Sequence, residues 1–152
     1  LLPTGTGMTL LIDCGANVDS KPHFLQQFAK MGSVYYESIF NKTNPTVGLL
    51  NNGTEEKKGN NLTKDTFKLL NKDSHINFIG NVEGRDIPEG KADVVVCDGF
   101  AGNVVLKLYE GLAGTLMGMI KESIMSTTIS KVGGLLIKNA MKNMKKKMDF
   151  HH

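Results

Sequence analysis

Apolar residues in this chain come in short dense runs separated by polar, glycine-bearing stretches. Leu10 to Ile12, Val47 to Leu50, Ile76 to Ile79 and Val94 to Cys97 are such runs. Apolar stretches this short, without polar alternation, fit strands buried on both faces of a parallel sheet. Between them the spacing changes to that of a helix. From about Pro22 to Phe40, residues Leu25, Phe28, Ala29, Gly32, Tyr35 and Ile39 share one face, with Ser20 as a candidate cap and Pro22 in the first turn. A second helix is predicted near Thr63 to Leu70. This alternation predicts an α/β, Rossmann-like layered sheet, mostly parallel, with helices on both faces and right-handed crossovers.

The last third follows another pattern. Two helices are predicted, about Val104 to Met125 and Ser130 to Met148, separated by Ser126, Thr127 and Thr128: a protruding amphipathic hairpin. In the second, Ile129, Val132, Leu136, Ala140, Met144 and Met148 recur at helical spacing, while Lys131, Lys138, Lys142 and Lys145 follow a separate stripe. From Ser123 to Met148 there are six lysines and no acidic residue, against a net charge of only +3 for all 152 residues. The asymmetry is therefore local. No apolar run reaches the roughly 18–20 residues that span a bilayer. A basic amphipathic helix suits an anionic membrane surface. The same stripe suits equally well a hairpin or dimer interface whose lysines are solvated. The expected organisation is an α/β core with site loops at 1–103, a dimer-, membrane- or carrier-facing hairpin at 104–150, and a tag remnant at His151 and His152.

The polar stretches carry the candidate chemistry. After Val94 to Cys97 a tight turn, Asp98 to Gly102, leads into a helix expected to begin at Asn103. Glycines feeding a helix N-terminus leave backbone N–H groups open to an anion. Asn103 reads either as the helix cap or as an amide reaching a substrate. The same arrangement recurs after the other runs: Gly15 and Asn17 in the first loop; Gly53, Thr54, Glu55 and Lys58 in the second; Asn81, Glu83 and Arg85 in the third. Ligands of open parallel sheets lie outside the carboxyl ends of the strands, so these loops predict one composite site.

Other classes are excluded by what is missing. Cys14 and Cys97 sit in apolar strand ends and read as small buried hydrophobes of a reduced compartment. There is no CxxC and no zinc-ligand spacing, so no metal is expected. His23 and His75 are isolated and read as surface residues. No GxGxxG opens a helix, which argues against a nicotinamide dehydrogenase, and no cofactor is expected. The basic stripe lacks interleaved aromatics and matches no nucleic-acid module, so nucleic acid is not an expected partner.

Asp13 to Asp19, Gly48 to Asn51 with Gly53 to Glu55, Asn77 to Asp86, and Asp93 to Lys107 resemble, in order, the bacterial phosphate acyltransferase (PlsX) family. The resemblance implies an enzyme that moves a fatty acyl group from acyl carrier protein to inorganic phosphate, starting phospholipid synthesis. It also implies a cytoplasmic homodimer peripherally associated with the inner face of the cell membrane. Lys58 and Asn103 are the catalytic pair it points to: Lys58 to hold phosphate and offset its charge, Asn103 to donate to the carbonyl oxygen as charge develops there. The plainer alternatives are a solvated loop lysine and a helix cap. Gly15, Asn17, Gly53, Thr54, Glu55, Asn81, Glu83, Arg85, Asp98, Gly99 and Gly102 form the expected substrate-binding set. Arg85 and Asp86 fit structural ion pairs as well. Ile129, Lys131, Val132, Leu135, Leu136, Lys138, Lys142 and Lys145 are the expected membrane or carrier contacts. The chain starts without Met and stops soon after Phe150, where family members continue, so a fragment is expected, its own activity open. A non-catalytic membrane- or carrier-binding module is the alternative reading.

Overall fold

The structure is a computed structural model that describes residues 1–147, apart from the side chains of Lys131 and Lys147. Met148, His151 and His152, which the sequence reading includes in a helix and a tag, lie outside the described residues. The chain divides into a first unit, Leu1–Val105, and a second from Leu106 onward.

The first unit holds strands β1 (Leu2–Thr4), β2 (Gly7–Ile12), β3 (Thr46–Leu50), β4 (Asn77–Val82) and β5 (Val94–Val96), in the sheet order β1-β2-β5-β3-β4. β1 pairs antiparallel with β2, while β2, β5, β3 and β4 run parallel. Helices α1 (Pro22–Phe40) and α2 (Asn61–Lys72) supply the crossovers and α3 (Asp86–Glu89) a short turn before β5. This is the Rossmann-like, mostly parallel α/β layering that the alternation predicts. β1 and α3 carry too few residues to show a period, and the sequence reading did not anticipate them.

One face of the sheet meets α1: Leu25 and Ala29 cluster with Val47, Leu49, Val94 and Val96. Gly32 lets the helix lie close, because a Cβ there would stand 2.8 Å from Val94 Cγ1. Leu11 and Val95 alternate to the opposite face and are buried as well, as are Leu2, Val82 and Ile87 of α3. The buried stripe of α1 differs from the predicted one in its last two turns. Tyr36, whose hydroxyl donates to the Met8 carbonyl, is inside, whereas Tyr35 and Ile39 are exposed. Nor does Ser20 cap α1. The cap position is Lys21, without a side-chain bond, and Ser20 Oγ donates to the Asn17 carbonyl. α2 is capped by Asn60, whose Oδ1 accepts from Thr63 N at 2.9 Å.

α4 (Gly99–Met125) begins in the first unit and continues in the second, which also contains α5 (Thr128–Leu136) and α6 (Lys138–Lys147). The single helix predicted from Ser130 onward is thus two. Ile137 leaves helical geometry at φ −93°, ψ 3°, just after Gly133 and Gly134. Two adjacent helix-interior glycines cost about 1 kcal/mol each relative to alanine, so the segment breaks where its propensity is lowest. Gly134 earns its place by close approach, since a Cβ there would collide with Ile124 Cγ2 of α4. Thr127 caps α5 by accepting from Ser130 N at 3.1 Å. No described helix is long and apolar enough to cross a membrane.

Candidate active site

The carboxyl ends of the parallel strands build the site, and the loop after β2 shows how. Asp13 is nearly buried and its carboxylate collects four donors: Gly15 N at 3.1 Å, Ala16 N at 3.1 Å, Asn17 N at 2.7 Å and Asn17 Nδ2 at 3.0 Å. Burial alone would raise its pKa; the bonds from the Asn17 side chain and the neighbouring amides outweigh this and hold it below the usual carboxylate value. Gly15, at φ +130°, permits the turn and lies beside Asn103: a Cβ on Gly15 would sit 3.8 Å from Asn103 Oδ1.

The loop after β5 is short because α4 starts earlier than the sequence suggests. Asp98, not Asn103, is the cap: its Oδ1 accepts from Ala101 N at 2.8 Å. Asn103 lies inside the helix and is exposed. Gly99 N donates to the Asn17 carbonyl at 2.9 Å and Gly102 N to the Asp98 carbonyl at 3.0 Å, so both amides offered as cradle donors have protein acceptors. The glycines serve close packing instead. A Cβ on Gly99 would meet the Asn17 backbone at 2.9 Å, and one on Gly102 would collide with the Asp13 carbonyl. Cys97 lies beneath, its Sγ 3.3 Å from the same carbonyl, and burial pushes its pKa far up. Burial raises the Cys14 thiol too. Neither is an activated nucleophile.

The loop after β3 is tied to β4. Asn51 N donates to the Val82 carbonyl at 2.8 Å, Asn51 Nδ2 to the Lys58 carbonyl at 3.1 Å, and Asn81 Nδ2 to the Glu55 carbonyl at 2.9 Å. Gly53 is buried, whereas Thr54, Glu55 and Lys58 are exposed. Asn81 belongs to β4 itself rather than to the loop beyond it. After β4, Glu83 holds Arg85 through contacts of 2.6 and 2.9 Å, and Asp86 accepts from Glu83 N at 2.8 Å and Lys91 Nζ at 3.0 Å. Both Arg85 and Asp86 therefore occupy ion pairs.

A cavity of about 600 Å³ opens between the β3 and β5 ends. Leu25, Leu50, Cys97 and Ala101 form its apolar wall; Asn51, Asn52, Asn60, Thr63 and Asp98 its polar one. Gly15 and Asn103 are neighbours on the β2 side; Lys58, Glu55 and Asn81 gather on the β4 side. Sequence reasoning missed Asp13 and Asn51 as organisers. Their signal was present, an Asp or Asn immediately after an apolar run, the residue types that bond their own following backbone. His23 and His75 are exposed.

In the second unit Ile129, Val132, Leu135 and Leu136 are all exposed. Lys138, Lys142 and Lys145 line a groove of about 750 Å³ with Met117, Lys121 and Ile124. Among the described residues, no group of three His, Cys, Asp or Glu side chains is placed to hold a metal ion.

Together, a mostly parallel sheet and a ligand-sized pocket at its strand ends, with one apolar and one polar wall, define an α/β protein of the open-sheet class, in which ligand sites lie beyond the carboxyl ends of the strands. The family model described as fatty acid synthesis protein matches residues 1–152, and the chain belongs to that family. It is similar to phosphate acyltransferases of Clostridium perfringens (strain SM101), 54% identical over 150 residues, and Clostridium novyi (strain NT), 55% identical over 150 residues. A phosphate acyltransferase of Clostridium beijerinckii is 52% identical over 151 residues. Each alignment covers 99% of this chain but 44–45% of the relative, so the chain spans less than half their length.

Proposed function

We propose that this chain is the strand-end portion of an acyltransferase that moves a fatty acyl group from acyl carrier protein to inorganic phosphate. The observation that carries the reading is 52–55% identity to proteins named phosphate acyltransferase along 99% of this chain. A phosphate oxygen attacks the thioester carbonyl carbon, the C–S bond breaks, and the thiolate leaves to take up a proton. Phosphate near neutral pH is already largely dianionic and a thiolate leaves readily, so positioning and charge stabilisation carry more weight than general-base catalysis. Lys58, exposed on a loop whose backbone is bound to β4, holds the phosphate. Asn103, exposed beside the open turn at Gly15, donates its amide hydrogens to the oxygen as negative charge develops. With Asp98 serving as the cap, Asn103 is not needed for that task.

The second unit serves as the contact surface. Its exposed apolar residues on α5 and the lysines of α6 suit an anionic membrane face, the acidic carrier protein, or a second copy in a homodimer. On this reading the enzyme works in the cytoplasm, peripherally bound to the inner side of the membrane, with phospholipid synthesis as its purpose. The test is phosphate-dependent formation of acyl phosphate from long-chain acyl carrier protein, by this chain and by one extended to the length of its relatives. Acyl phosphate from the extended chain is the expected result. Its absence, with folded protein and intact carrier, overturns the reading.

A further inference from the structure

The loop bearing Lys58 is fastened to the sheet by one buried side chain. Asn81 is 4% exposed. Its Nδ2 donates to the Glu55 carbonyl at 2.9 Å, and that same carbonyl accepts Lys58 N–H at 3.0 Å. A carbonyl oxygen only accepts, so the NH₂ end of the amide must face it. From the other side, Asn51 Nδ2 donates to the Lys58 carbonyl at 3.1 Å. The backbone of Lys58 is therefore fixed at both its donor and its acceptor. Its stem passes over buried Gly53, where a Cβ would stand 2.9 Å from Lys58 Cγ and equally close to Glu55 Oε2. Asn81 Oδ1, in contrast, is buried without a hydrogen-bond partner among the described residues. The bond to Glu55 is what orients this amide.

We propose that Asn81 is a positioning residue that sets Lys58 through the Glu55 carbonyl and does not itself touch substrate. A buried polar side chain with half its capacity unused is expensive to keep unless the bond it does make matters. Held this way, Lys58 meets an incoming phosphate without the loop having to order first. The proposal rests on the assignment of Lys58 to phosphate.

Two variants test it. Asn81→Leu keeps bulk and removes the donor. In this chain, hydrogen exchange at Lys58 N–H is expected to quicken about tenfold, the scale of one lost hydrogen bond, while exchange in β2 and β5 is unchanged. In the protein of relatives' length, KM for phosphate rises by about the same factor, and KM for acyl carrier protein stays put. Asn81→Asp keeps the shape but presents an ionised carboxyl to a carbonyl. The loop then loosens at neutral pH and tightens again as acid restores a proton able to bridge to Glu55, a dependence that a mere packing defect lacks. If Asn81→Leu fails to fold, this pH series decides alone. A raised phosphate KM with unchanged Lys58 N–H exchange overturns the proposal, because Asn81 would then act on substrate directly. Unchanged exchange with unchanged kinetics overturns it equally. Should the unmodified long protein make no acyl phosphate, the parent reading falls, and exchange at Lys58 N–H still judges the positioning claim.

Discussion

The strand-end loops and the helical hairpin both carry candidate functional residues, yet they are built on opposite plans. In the first unit polar groups are committed to one another before any ligand arrives. Asp13 gathers four donors, Asn51 and Asn81 bind the Lys58 loop, and apolar side chains such as Leu25 and Val94 are fully buried. In the second unit the apolar groups remain outside: Ile129 is 86% exposed and Leu136 83%. A small anion is best met by a shape already set, because binding then carries no ordering cost. A large surface, whether lipid or protein, is met by apolar area left open for it. Under the proposed function, the difference is one of partner size.

Four experiments probe that contrast, beginning with the largest effect. Lys58→Ala or Asn103→Ala, in the protein of relatives' length, should cut turnover roughly 100-fold or more, with the thermal midpoint unchanged because both side chains are exposed. A normal rate with a lowered midpoint would make these residues structural and erase the contrast. Gly102→Ala forces a methyl group against the Asp13 carbonyl and Cys97 Sγ. Urea unfolding should record a loss of about 1–3 kcal/mol, the usual cost of overpacking.

Smaller effects belong to charge. Lys142→Gln should weaken binding to anionic vesicles by about fivefold, from roughly 1 kcal/mol per basic side chain, and leave stability untouched. Vesicle binding that ignores this change would take the groove lysines out of the membrane reading. Acid offers a fourth probe, aimed at the first unit. Asp13, Asp86 and Asp93 have pKa values lowered in the folded state. An unfolded aspartate titrates near about 3.9, so the unfolded chain takes up protons first as pH falls. Their stabilisation is complete above that value and is lost on the way down to the folded pKa values. Urea midpoints should hold from pH 7 to about 5 and fall below about 4. Asp13→Asn should start lower and flatten the acid limb; an unchanged limb would mean that the Asp13 bonds do not differ between folded and unfolded chains.

Much of this fold is readable in advance because burial on both faces demands unbroken apolar runs. The Val94, Val95 and Val96 strand and the Leu10 to Ile12 strand announce themselves in that way. What escapes is set by long-range geometry. Tyr36 replaces Tyr35 in the α1 core because its hydroxyl finds the Met8 carbonyl, 28 residues away in sequence. Asn103 resembles a cap, but Asp98 claims the position once Gly99 and Gly102 let α4 begin against the Asp13 loop. The Asn81 amide looks like a loop group until the β4 ladder, with Gly80 at φ +96°, carries it inside. At the site the residue types were legible and their division of labour was not, since a motif names side chains without saying which backbone groups they hold.

Cys97 offers a last consequence. Its sulfur lies under the junction where Gly102 meets Asp13, and its thiol holds its proton tightly. Alkylating reagents require both access and a thiolate. Labelling of Cys97 therefore acts as a clock for this junction, advancing when the start of α4 lifts from the Asp13 loop and standing still while it is seated.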